Sequence, residues 1–150
     1  VWDFPRPPIA VASDEHVRII HRGRVVADTT SAVRVLEQSH APVYYLPRAD
    51  VAMDALVARG RRTVCEWKGV ATYYAIEVTG DVVENAAWTY EIPTARFTSI
   101  TNHIAFYPQQ VDECWVDAER VAPTAGDFYG GWITSRVVGP FKGGPNTLSW

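Results

Sequence analysis

Short apolar stretches, each closed by glycine or proline, recur along this chain, and only one stretch keeps helical spacing. This punctuation constrains the fold strongly, because glycine frees φ while proline fixes it and removes a backbone donor. Val17-Arg18-Ile19-Ile20-His21 and Arg24-Val25-Val26-Ala27 flank Arg22-Gly23, the pattern of a tight β-hairpin. Ala32 to Gln38 reads as a third strand, with Val33, Val35 and Glu37 on one face by period two. Val43-Tyr44-Tyr45-Leu46 follows between Pro42 and Pro47 as a fourth. Thr63 to Trp67 and Thr72 to Val78 read as strands around Lys68-Gly69, and Gly80-Asp81 turns into Val82-Val83 and Ala86 to Tyr90. The last strands expected are Ile104 to Tyr107 and Cys114 to Val116. The helical exception is Val51 to Arg59, with Asp50 as N-cap, Met53, Leu56 and Val57 on one face, and Gly60 to end it.

The expected fold is therefore mainly β with one short helix. A Pro-rich arm over residues 1–12 and a β core over 13–120 make up most of a single domain. From 121 to 150 the composition shifts to glycine and tryptophan, and an irregular tail is expected, pinned by Phe128, Tyr129, Trp132, Phe141 and Trp150. At 150 residues a globule buries roughly 68–70% of its unfolded surface, enough for a core without staples. Cys65 and Cys114 stand far apart and neither belongs to a Cys-x-x-Cys pair, so zinc knuckles are excluded and a single bridge stays open. No run is long enough for a membrane helix, and Val1 to Ala10 is unlike a signal peptide, so a cytoplasmic protein is the expectation. A net charge of −3 weighs against a protein built to neutralise phosphates.

Seven segments come in an order that identifies a family: Trp2 to Pro8, Val35 to His40, Pro42 to Pro47, Thr63 to Gly69, Ala71 to Tyr74, Asn85 to Tyr90, and Ile104 to Pro108. Together they resemble the bacterial and fungal family known as domain of unknown function 427, over roughly residues 1–120. The resemblance implies a β-tent-like fold, two antiparallel meanders leaning together, similar to the drug-binding domain of cereblon and to methionine sulfoxide reductase B. Many β-tent relatives hold zinc through two Cys-x-x-Cys knuckles, which this chain lacks, so no metal is carried over. The family is sometimes labelled nucleotidyltransferase-like. That chemistry needs a Gly-Ser turn before spaced carboxylates, and Asp117-x-Glu119 has no such turn before it.

Glu37 is the leading candidate for acid–base chemistry. Strand alternation places its carboxylate on the apolar face of Val33 and Val35, where burial raises a carboxyl pKa; the alternative is a solvated rim or an arginine partner. Lys68, at a turn, suits an anion or developing negative charge, against the reading of a surface lysine. Cys65 shares a strand side with Trp67 and is a nucleophile only if a base or cation adjoins it; otherwise it is a small buried hydrophobe. Tyr45, Trp88, Tyr90 and either Tyr73 or Tyr74 would make an aromatic-walled pocket if they converge, and His103 joins this ligand-binding set. His16 and His21 fall on opposite strand faces, and no spacing supports a zinc site from His40, His103 and Cys65. Gly139-Pro140-Phe141-Lys142-Gly143-Gly144 lacks the order of a phosphate loop.

The expected function is a small-molecule pocket without metal or cofactor, with acid–base catalysis through Glu37 if there is catalysis. The alternative is a protein- or peptide-binding module using the arm and tail, with nucleic-acid binding on aromatic platforms third. Ligand, reaction and oligomeric state are left open by the residues.

Overall fold

The computed structural model describes residues 1–150. Strands β2 (Val17–His21) and β3 (Arg24–Thr29) form the expected hairpin. Arg22 and Gly23 both hold positive φ, 49° and 74°, as a two-residue turn joining right-twisted strands requires. With β10 (Glu113–Val116) and β11 (Glu119–Arg120), they make a four-stranded sheet ordered β11-β10-β2-β3.

The larger sheet has seven strands, all paired antiparallel. Its order is β1 (Ile9–Ala12), β4 (Val33–Leu36), β5 (Val43–Leu46), β9 (Ile104–Phe106), β8 (Asp81–Thr89), β7 (Gly69–Val78) and β6 (Leu56–Cys65). Its two faces bury different cores. Tyr44, Leu46, Ile76 and Phe106 meet Val17, Ile19 and Val26 of the smaller sheet. The opposite face carries Val35, Tyr45, Tyr73, Trp88 and Tyr107, packed with Phe97 and Ile100. Burial on both faces explains why Val43-Tyr44-Tyr45-Leu46 is apolar throughout instead of alternating.

Three expectations are corrected. Val51 to Arg59 is not a helix; single 3-10 turns cover Arg48–Asp50 and Met53–Ala55, and β6 begins at Leu56. Strand pairing overrides the helical spacing here, since Leu56, Val57 and Ala58 register against Ile76, Ala75 and Tyr74. Gly60 caps nothing and lies where the β6–β7 register shifts between Ala58 and Arg62, the place for a bulge. Asp50 accepts a hydrogen bond from Thr29 Oγ1 at 2.7 Å instead of capping a helix. The Pro-rich arm gives way to β1 at Ile9, which pairs with β4 at the sheet edge. The third strand stops at Leu36, so Glu37 lies beyond it.

Tail residues are irregular except for a ribbon of β12 (Ala122–Pro123) and β13 (Trp132–Ile133). Trp132 is wholly buried, and its Nε1 donates to the Phe106 carbonyl at 3.2 Å. Phe128, by contrast, is 67% exposed and packs edge-on against Tyr129 instead of entering the core. The two ends of the chain meet: the Trp2 indole donates to Pro140 O at 2.8 Å and packs edge-on against Trp150. Both cysteines are free; Cys114 lies in the core between the sheets and Cys65 beside the aromatic core.

Candidate functional site

A cavity of about 450 Å³ opens on the aromatic face of the larger sheet. Register explains it. Val33 pairs with Tyr45, Tyr45 with Ala105, Ala105 with Trp88, and Trp88 with Tyr73, forming one row across β4, β5, β9, β8 and β7. Ala105 is the small member between two large ones and is wholly buried beneath them. Trp88 Nε1 donates to Tyr45 Oη at 3.4 Å, and the Trp88 and Tyr107 rings lie 4.5 Å apart. Tyr73 faces this cavity and shares a 2.7 Å hydrogen bond with Thr63 Oγ1. Tyr74, one residue on, faces the other core and accepts from Arg48. Burial raises the hydroxyl pKa of Tyr45, Tyr90 and Tyr107, so they remain neutral donors and acceptors at physiological pH.

Lys68 reaches back from the β6–β7 turn, with Nζ 6.0 Å from the Tyr90 ring centroid. No carboxylate lies within 4.0 Å of this ammonium. Burial works against its charge, while a side-chain hydrogen bond with Cys65 and the negative charge of Glu37 act the other way, and its pKa lies above the ordinary lysine value. It is a protonated cation among aromatic rings, with no carboxylate in direct contact.

Glu37 also lines the cavity, but as a rim group. Its side chain is 16% exposed, with Oε2 3.7 Å from His40 Nδ1 and 4.0 Å from Arg6 Nε. The expected buried, unpartnered carboxylate is therefore absent, because the chain leaves the sheet at Leu36 and the strand alternation no longer governs position 37. Cys65 lines the cavity near Lys68. His103 does not reach it; its carbonyl accepts from Thr89 Oγ1 at 2.7 Å and its Nδ1 lies 3.1 Å from Thr101 O. His40, His103 and Cys65 do not converge, and no group of three His, Cys, Asp or Glu side chains is arranged to hold a metal. Asp117 and Glu119 are taken up by the His16 amide, Arg136 and Ser135, and so fasten the tail.

The wall opposite the sheet escaped the sequence reading. Tyr129, Gly130 and Lys142 come from the tail and His40 from the β4–β5 connection. Lys142 Nζ sits 5.5 Å from the Tyr129 centroid, and the His40 ring meets Tyr129 edge-on at 5.2 Å. The signal available was Gly130-Gly131: the chain passes too close to Trp88 and Ala41 there for any side chain.

The sequence profile of a family described as Domain of unknown function (DUF427) matches residues 9–117. This chain belongs to that family. The DUF427 match takes in β1 to β10 and hence the aromatic row, Lys68, His40 and Glu37. It ends before the tail residues that close the DUF427 cavity in this chain. No curated protein matches the chain.

Proposed function

We propose that the cavity binds a small, flat molecule carrying an anionic group, held by Lys68 and stacked among Trp88, Tyr45 and Tyr90. The observation that carries this reading is the Lys68 ammonium, without a carboxylate in contact, in an aromatic-walled space. A cation removed from water without a counter-ion is costly, and a ligand anion offsets that cost. The 450 Å³ volume falls within the range typical of small-molecule sites, about 300–1,000 Å³. Arg61 and Lys142 also line the cavity, with Glu37, Glu66 and Asp127 opposing them in charge, so the anion preference rests on Lys68 itself.

Calorimetric titration with matched pairs tests this: aromatic carboxylates such as benzoate, phenylacetate and phenylpyruvate against their amides. The acids should bind and the amides should not, and Lys68→Met should lose the acids. Equal binding of acid and amide would remove the anion anchor. No binding by any acid to the folded protein would overturn the reading and favour a protein-interaction module.

A further inference from the structure

We infer that His40 is a general base facing a bound carbon acid whose developing negative charge lies at Lys68, so that the site catalyses proton abstraction next to a carbonyl. The inference rests on the binding reading above and adds a reaction to it.

His40 Nδ1 lies 2.9 Å from the Gln38 carbonyl. A carbonyl only accepts, so Nδ1 carries the proton and Nε2 holds the free lone pair. Nε2 has no protein partner, yet it is not among the sealed, unsatisfied polar atoms, so it remains accessible. Glu37 Oε2, 3.7 Å from Nδ1, supplies the charge that stabilises the imidazolium once Nε2 has taken a proton. Ser39 Oγ at 3.4 Å and the edge-on Tyr129 ring complete the ring's setting. Arg6 braces the segment from outside, donating to the Gln38 carbonyl at 3.0 Å and to Ser39 Oγ at 3.3 Å.

Charge on this histidine is set from both sides of the cavity. Burial lowers its pKa most; the Gln38 carbonyl and Glu37 raise it, while Lys142 and Lys68 lower it further. The net direction is downward, leaving a neutral imidazole at neutral pH, as a base must be.

The proposed step balances within the substrate and the two side chains. Nε2 takes the proton from the carbon beside the carbonyl, and the C–H electron pair becomes the enolate. Its negative oxygen lies against the Lys68 ammonium, with neutral tyrosine hydroxyls as further donors. The imidazolium then trades that proton with solvent, and delivery of a solvent-derived proton to carbon gives hydrogen exchange, whereas protonating the oxygen instead gives the enol. No oxidant, reductant or second substrate is needed. The substrate class is a small aryl-bearing 2-oxo acid or a related carbon acid, whose ring suits the Trp88 and Tyr107 walls.

Phenylpyruvate in D₂O is the probe, with loss of the protons beside its carbonyl followed by NMR against the buffer rate. Wild type should accelerate exchange, and His40→Gln should lose about 10²-fold or more of that excess while binding phenylpyruvate within a few-fold of wild type. Imidazole added to His40→Gly should restore part of the rate. The wild-type rate should rise with pH through the same midpoint at which the His40 ring titrates by NMR. This last measurement decides the matter if the variants do not fold. Phenylpyruvate bound without accelerated exchange, full exchange in His40→Gln, or a midpoint unlike that of His40 would each overturn the inference and leave the binding reading standing. Failure of phenylpyruvate and the other acids to bind would end both.

Discussion

Gly130 lies flat against the indole of Trp88: a Cβ added there would come within 2.3 Å of Trp88 Cη2 and 3.3 Å of Tyr107 Cδ1. The contact joins the tail to the aromatic row, and Trp88 and Tyr107, both buried, also line the cavity.

Gly130→Ala should therefore cost about 1–3 kcal/mol, the usual range for overpacking. It should also alter the cavity, because either the tail lifts or Trp88 turns. Chemical denaturation gives the first quantity, and Trp fluorescence or loss of acid binding reports the second. A variant as stable as wild type with unchanged binding would show that the tail does not close the site as described.

Lys68→Met should abolish binding of aromatic acids without harming the fold. The methionine fills similar space and removes a cation without a carboxylate in contact, so the melting temperature should stay unchanged or rise. A fall of several degrees would mean that Lys68 serves the fold instead.

His40 titration has a definite sign. Its folded pKa lies below the ordinary 6.5, with burial the largest cause. The unfolded chain thus binds more protons than the folded one between the depressed value and 6.5, so stability rises with pH across that window. This contribution is complete above 6.5 and is lost as pH falls through the folded value. In His40→Gln that part of the pH dependence should vanish, as melting curves across mildly acidic pH would reveal.

Glu15 works in the opposite region. It accepts from Ser13 Oγ at 2.7 Å, from Tyr44 Oη at 2.9 Å and from Arg136, which also holds Asp117. Burial acts to raise its pKa, but these hydrogen bonds, with Arg34, outweigh it and hold the carboxyl below 4.5. Its stabilisation is present above that value and is lost as pH falls through the depressed one. Glu15→Gln should cost about 1–3 kcal/mol at neutral pH, because it leaves buried donors poorly matched. The gap between variant and wild type should close in acid.

Trp132→Ala should be the most damaging of these changes, at about 3–5 kcal/mol for a large buried aromatic. It would also leave the Phe106 carbonyl without its 3.2 Å donor. A mild effect in urea denaturation would show that the tail packs independently of the core.

Several elements were readable from the residues because their cause is local. The Arg22-Gly23 hairpin needs only two positive φ angles, and the Val43–Leu46 strand only a short apolar run between prolines. Lys68 beside the aromatic residues was legible for the same reason, since a glycine at 69 forces the turn that sends the lysine back. Where the cause is distant, local reading failed. Met53, Leu56 and Val57 keep helical spacing, yet a partner strand beginning at Gly69 takes up their backbone. Alternation alone puts Glu37 on the apolar face, but the strand ends at Leu36, and the alternative of a rim position near an arginine is the one found.

By itself, the sequence determined the β class, the family and the kinds of side chain available, because turn chemistry, short apolar runs and ordered motifs are properties of neighbouring residues. Tertiary structure alone decided which tyrosine of the pair at 73 and 74 faces the cavity, and that His40 and Lys142 join it. Each of these depends on register between strands or on a tail that folds back across some ninety residues, distances over which a one-residue shift reverses every face.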